Sequence, residues 1–273
     1  MATIVEMINP LTGLPEQVDK LDHTAQEIDD AVTRTFKVSA RNFLRNWYFV
    51  NPVNQRGVSG TISTTGYFID GWKLVSGTVQ ITSTGLVLNG TIEQILESGI
   101  GQPVKATFLA SDGVFDASYN DSTKTFTITA TGKTLIAAKL ELGSQQTLAH
   151  QDADGNRVLN EIPDYGEQLA RCQRYFYKTH YAQYQTINIA FEGTTYSFLA
   201  LPIPVCMRTD KPVLTQSVPI SVGNSTKIMT YAEVKGGMAI LGVNYATTET
   251  YAGACYSYCP TVDGVTFTLS ADL

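Results

Sequence analysis

The side chains best equipped for chemistry in this 273-residue chain fall into three groups. The first is "NPVNQRG" (51–57), where Asn51, Asn54 and Gln55 bring amides and Arg56 a charge, framed by Pro52 and Gly57. Such a stretch can hold a ligand. It can also cross-link backbone carbonyls in a buried turn, where unpaired polar groups would be costly. The second is "HQDADGNRVLNE" (150–161), which has the frame of a twelve-residue calcium loop: Asp152 and Asp154 at the third and fifth places, Gly155 at the sixth, Glu161 at the twelfth. His150 stands where a carboxylate belongs, and Arg157 where an apolar residue belongs. An Asp-Ala-Asp-Gly turn in a solvated loop is therefore the preferred reading, and no metal is expected. The third group is tyrosines: Tyr181 and Tyr184 after a predicted helix, then Tyr245, Tyr251, Tyr256 and Tyr258. A ring with a polar tip suits sugar faces and mixed surfaces, with core packing as the competing role for each. In "CYSYC" (255–259), strand alternation puts Tyr256 and Tyr258 on one face and the cysteines on the other.

Catalysis needs a constellation, and none is visible. His23, His150 and His180 stand apart, and no G-x-S-x-G, H-E-x-x-H or phosphate-binding loop is present. A glycosidase pair such as Asp112 with Asp116 would have to be assembled by the fold. Cys255 and Cys259 have three residues between them, not the two of a zinc knuckle, and no histidine is near in sequence. The four cysteines lack a disulfide rhythm and read as reduced thiols. The chain is expected to be non-enzymatic and to need no cofactor.

Bulk composition narrows the class. Charged residues make up 16% of the chain, below the roughly 25% usual for soluble domains. Thr, Ser, Gly, Asn and Tyr replace them, as suits pleated surfaces. With net charge −6 and no basic stripe, nucleic acid is not an expected partner. The longest apolar stretch, "FLALPIPV" (198–205), is too short for membrane insertion, and no signal peptide is read at the start.

These groups must be positioned by a mainly β chain, read in four segments. Residues 1–40 form a stem: Leu14, Val18, Leu21, Ala25, Ile28 and Val32 follow an a/d pattern that predicts a coiled-coil helix over 14–35. An amphipathic helix lying on its own domain is the alternative; the narrow stripe favours the seam. Residues 41–148 show short alternating runs with turn punctuation, the pattern of a jelly-roll-like β-sandwich. Residues 149–180 hold a polar linker and a connector helix that begins with a capping box, Asp164-x-x-Glu167. Tyr165, Leu169, Cys172 and Phe176 share one face of it, with Cys172 a small core residue. Residues 181–273 return to β, a second sandwich expected to form the tip.

Two ordered motifs resemble a known family. "NWYFVNPVNQRG" followed by "GYFIDGWKL", and then "PDYGEQLARCQRYF", are similar to segments of bacteriophage and prophage tail fibre (receptor-binding) proteins. The match falls on Asn51, Pro52, Asn54, Gln55, Arg56, Gly57, Asp70 and Trp72, and on Cys172, Gln173, Arg174 and Tyr175. It covers roughly 40–180. Gly71 stands where the family has Arg or Lys, and the insert 151–161 is longer than usual. The resemblance implies a virion protein made in a bacterial cytoplasm. It would be a homotrimer or a dimer, joined to other virion proteins through its N-terminus and attached to a bacterial surface glycan or another receptor. Fibres of differing host range share the NPVNQRG motif, so a structural brace, not receptor choice, is expected of it. A glycan depolymerase or a purely structural fibre or head decoration are the alternatives.

Overall fold

The computed structural model describes residues 4–8, 15–19, 40–183, 186–192, 196–222, 225–244, 255–258 and 263–272. A two-stranded ribbon comes first, β1 (Ile4–Ile8) antiparallel to β2 (Pro15–Asp19). The heptad stretch overlaps it: Val18 stands opposite Val5 in a strand, not in a helix. Leu14, Leu21, Ala25, Ile28 and Val32 lie outside the described residues, and the coiled-coil expectation with them.

The alternation over 61–142 becomes one eight-stranded antiparallel sheet. Its strands are β3 (Thr61–Ile62), β4 (Gly66–Ile69), β5 (Trp72–Thr82), β6 (Gly85–Ile95), β7 (Val104–Ala110), β8 (Gly113–Asp116), β9 (Ser118–Asn120) and β10 (Thr125–Leu142). The spatial order is β3-β5-β6-β10-β7-β8, with β4 on β5 and β9 on β10. β10 is the spine: its first half pairs with β6 and its second with β7. As the period of two requires, Phe126 and Ile128 are buried while Thr129 faces solvent. Gly77 and Gly90 face each other where β5 crosses β6. A Cβ on Gly77 would fall 2.0 Å from Asn89 O, so this close approach admits no side chain.

Segment 43–49 runs along β10. Phe43 N–H donates to Leu140 O at 2.9 Å, Ala138 N–H to Trp47 O at 2.9 Å, and Phe49 N–H to Ile136 O at 2.8 Å. Its aromatics turn inward. Trp72 is fully buried, with Phe49 and Phe126 edge-on to it at 5.1 and 6.0 Å. This indole is among the largest fully buried side chains of the first core.

The polar stretch that reads as a linker folds onto the sheet. β11 (Ala149–Gln151) and β12 (Arg157–Leu159) form a hairpin, and Leu148 and Ala149 are buried in the first core. Beneath it Lys139 and Glu141 are wholly buried, with Lys139 Nζ 3.7 Å from Glu141 and 3.6 Å from Glu161. Helix α1 (Tyr165–Gln173) is N-capped by Asp164, whose Oδ1 accepts the N–H of Glu167 at 2.8 Å. It is shorter than its apolar pattern suggests. Cys172 is buried, but Tyr165 is 45% exposed, and Phe176 opens strand β13 (Phe176–Tyr181), whose pairing across the sheet overrides the helical period.

The remaining strands are β14 (Thr186–Glu192), β15 (Tyr196–Pro202), β16 (Val213–Gln216), β17 (Ile220–Val222), β18 (Ser225–Lys227), β19 (Tyr231–Lys235), β20 (Met238–Asn244), β21 (Cys255–Tyr258) and β22 (Val265–Ser270). They build a three-stranded sheet, β13-β22-β16, and a seven-stranded one, β18-β17-β21-β14-β15-β20-β19. Val265, Phe267 and Leu269 of the first meet Leu201, Ala239 and Leu241 of the second in one apolar core. The protein is thus mainly β, in several antiparallel sheets, with one short helix among the described residues. Among the described residues no helix is long and apolar enough to cross a membrane.

Candidate functional site

The two separated motifs of the sequence close on each other at one place. Asn54 folds its own turn: Oδ1 accepts the N–H groups of Gly57 and Val58 at 3.1 and 3.3 Å, and Nδ2 donates to Val58 O at 2.6 Å. Gln55 reaches outward in two directions. Its N–H donates to Asp70 Oδ2 at 2.7 Å, and its Nε2 to Phe176 O at 2.8 Å. Arg56 donates through Nη2 to Asp272, near the end of the chain, with Nε 3.8 Å from Asp70 Oδ1. Its guanidinium lies over two rings, Phe176 at 4.0 Å and Tyr67 at 4.9 Å. Asn51 is exposed at the rim, and Trp72 donates its indole N–H to Asn46 O at 2.9 Å. Loop 51–57, the β4–β5 turn, β13 and the tail after β22 are therefore tied by one arginine between two carboxylates and by the amides beside it.

Burial dominates the electrostatics here. It pushes the Asp70 carboxyl up to about 6, although the Gln55 N–H and the Arg56 charge pull the other way. Cys172, packed nearby, is pushed up to about 12 by burial and stays a neutral thiol.

Much of the hub lies outside the quoted motifs. Asn46, at φ +50, accepts the Val53 N–H at 2.7 Å and donates through Nδ2 to Val53 O at 2.8 Å and Asp70 O at 2.7 Å. Its own N–H donates to Gln168 Oε1 at 2.7 Å, which fastens α1 to the sheet. Gln94 exchanges two bonds with the Arg45 backbone, accepting the N–H at 2.9 Å and donating to the carbonyl at 2.8 Å. The available signal was the polar residues in "RNFLRNWYF" (41–49), each set among apolar ones that had to be buried.

Beside the brace is a cleft of about 460 Å³ between the end of β6 and α1. Arg41, Arg45, Arg171 and Arg174 line it, with Glu97 and Tyr175. Glu97 accepts from Arg174 Nη2 at 3.1 Å and from the Tyr175 hydroxyl at 2.8 Å. Arg45 is 5% exposed, and its guanidinium stacks on Tyr175 at 3.7 Å. Burial drives the Arg171 guanidinium below its ordinary range; Glu167 raises it, while Arg41 and Arg45 lower it.

The other candidates go elsewhere. Asp152 Oδ1 accepts the N–H groups of Asp154 and Asn156 at 3.0 and 2.7 Å, closing the β11–β12 turn, while Glu161 faces Lys139. The three carboxylates of the calcium-like frame do not converge. Among the described residues no cluster of three His, Cys, Asp or Glu side chains is placed to hold a metal. Asp112 and Asp116 each meet a lysine, Lys133 at 2.5 Å and Lys105 at 2.7 Å. Tyr181 is half-buried and edge-on to Phe267 at 6.1 Å, in the second core. Tyr256 and Tyr258 stand two apart in β21, opposite Asn188 and Thr186 of β14. Tyr184, Tyr245 and Tyr251 lie outside the described residues.

Comparison with protein-family models, with curated proteins and with solved structures gives no match.

Proposed function

We propose that the chain is a non-enzymatic fibre component of a phage-type virion, which attaches to a glycan or other receptor on a bacterial surface. The observation that supports this reading is the joint between the two motifs. Gln55 and Arg56 of "NPVNQRG" meet Phe176, next to the Cys-Gln-Arg-Tyr run, and neither motif completes the brace without the other. A fibre protein has to carry load between its units, and a buried, multiply bonded joint suits that task. In this reading the two β regions are sandwiches, the first jelly-roll-like. The stem assembles a homotrimer and contacts other virion proteins, and Tyr256 and Tyr258 belong to the attachment face of residues 181–273 with Tyr184, Tyr245 and Tyr251. Tyr181 contributes packing instead of contact.

Incubating the purified chain with a panel of bacterial strains, and following polysaccharide viscosity in the same tubes, tests the proposal. Retention on particular strains without loss of viscosity is expected. Falling viscosity would replace attachment by depolymerisation, and retention on no strain would leave a structural role. Unchanged retention after Tyr256→Ala and Tyr258→Ala together would move the contact face elsewhere.

A further inference from the structure

We infer that the arginine-lined cleft between the end of β6 and α1 binds the oxyanion, carboxylate or phosphate, of a sugar-sized acidic ligand. Four of the chain's eight arginines line it, although the whole chain is acidic. Of the residues lining the cleft, one is a carboxylate, Glu97, and it is engaged with Arg174.

Arg45 carries the argument. It is 5% exposed, and Nη1 donates to Ile95 O at 3.1 Å. Nε and Nη2 are buried with no hydrogen-bond partner, and Nε lies against Gly71, so an oxyanion in the cleft engages this edge only as the guanidinium shifts toward it. A buried guanidinium with vacant donors is costly unless something accepts from it. Stacking on Tyr175, which also lines the cleft, keeps the guanidinium plane along the cleft wall through that shift. A carboxylate or phosphate offers acceptor oxygens in the geometry that a guanidinium fork matches. Arg171, which reaches Phe43 O at 3.4 Å, and exposed Arg41 would add charge from the facing wall. Glu167 on α1 offsets part of the Arg171 charge, which leaves Arg41 and Arg45 as the stronger attractors.

The rest of the lining sets the ligand's size. Leu96, Ile100 and half-exposed Leu142 give the cleft an apolar side. Its volume lies in the range of pockets that take small ligands. An acidic group on a body with an apolar face fits both features, which is the chemistry of a sugar acid or a sugar phosphate. This site is separate from the tyrosine face and stands whether or not the chain attaches to cells.

The test is titration calorimetry on the whole chain at low ionic strength, where screening is weak, with glucuronate, glucose 6-phosphate, glucose and inorganic phosphate as probes. One or both acidic sugars should bind and glucose should not; the tighter of the two identifies carboxylate or phosphate as the natural group. Arg45→Met should abolish binding. Because that change touches a buried position, exposed Arg41→Ala and the Arg41→Ala/Arg171→Met pair serve as second variants, each expected to weaken binding by about tenfold or more. Failure of both acidic sugars at about 10 mM, binding of inorganic phosphate alone, or affinity unchanged in the double variant would each overturn the inference. No cells enter the assay, so its outcome is independent of the attachment reading.

Discussion

Arg45 and Arg56 stand eleven positions apart and stack on adjacent rings, Tyr175 and Phe176. Both are largely buried. Their surroundings differ in one respect. Arg56 faces two carboxylates, Asp70 and Asp272, and joins segments more than two hundred residues apart. Arg45 faces none: it has one carbonyl, one ring and an open cleft. Arg56 Nε, like Arg45 Nε and Nη2, is buried without a hydrogen-bond partner, so the difference is one of charge: the same side chain on the same kind of platform is ion-paired in one case and unpaired in the other. Carboxylates, not burial or stacking, separate the two roles.

Removing Arg56 should break the comparison most visibly. Arg56→Ala leaves Asp70 and Asp272 buried without their cation, a class of change that costs about 3–5 kcal/mol. Denaturant unfolding at pH 7 should show a loss near the lower figure, because the Arg56 side chain retains 15% exposure. A loss below about 1 kcal/mol would mean that the joint behaves as a surface ion pair. Retention on cells, normalised to folded protein, should be unchanged; lost retention at an unchanged midpoint would make the loop a contact site.

The next effect is a pH dependence from Asp70. Its folded value, about 6, lies above the ordinary 3.8, so the folded state holds the proton more tightly. The burial penalty is fully present above pH 6 and is relieved as pH falls through 6 toward 3.8. The difference between the folded and ordinary values corresponds to about 3 kcal/mol. Asp112, Asp121 and Asp152 have lowered values, so their stabilisation is lost only further into acid. Stability should therefore keep rising as pH falls to about 4, and Asp70→Asn should flatten the rise between about 7 and 4. A curve that falls steadily from pH 7 would contradict the buried-carboxyl account. Arg56→Ala should steepen the rise, since it removes a charge that lowers the Asp70 value.

A smaller effect is expected at Gly71, which follows Asp70 and packs against Arg45. Its φ is +83°, and a Cβ there would lie 2.8 Å from Arg45 Nε. Gly71→Ala should cost about 1–2 kcal/mol from the left-handed backbone alone. Any further loss would come from displacing Arg45, and so would vanish in an Arg45→Met background. Equal losses in both backgrounds would show that Arg45 yields without cost.

How far the sequence foretold all this follows from where each partner lies. Asn54, the Asp164 cap and the Phe126/Ile128 face depend on near neighbours or on a period, and those signals are local. The uses of Gln55 and Arg56 depend on Phe176 and Asp272, which no spacing rule connects to them. Asn46 and Gln168 went unread for the same reason: each looks like an ordinary polar residue until its distant partner is known. Tyr181, read for its exposed chemistry, is half-buried with its ring edge-on to Phe267, a contact no spacing rule foretells. The arginine cleft has no linear signature, because positions 41, 45, 171 and 174 become neighbours only when α1 docks on the sheet.

The smallest expected change is also the one that decides between the paired and the unpaired role. Arg45→Met keeps an unbranched stem of similar length in the space beside Tyr175 and removes the charge. It forfeits the bond to Ile95 O and the stacking, each about 1 kcal/mol. Against that, it removes a buried cation whose Nε and Nη2 have no acceptor, an offsetting gain of similar size. Unfolding free energy at pH 7, without added ligand, should therefore stay within about 1 kcal/mol of the parent. Arg56→Met, tested beside it, should lose several times more, because it orphans two carboxylates. If Arg45→Met cost about 3 kcal/mol or more, Arg45 would be a structural partner like Arg56, and the vacant donors would no longer argue for a ligand. If the two methionine variants separate as expected, adding the acidic sugar to the parent should raise its midpoint and leave that of Arg45→Met where it was. Stabilisation by a ligand requires a site in the folded state, and this one would have lost its fork.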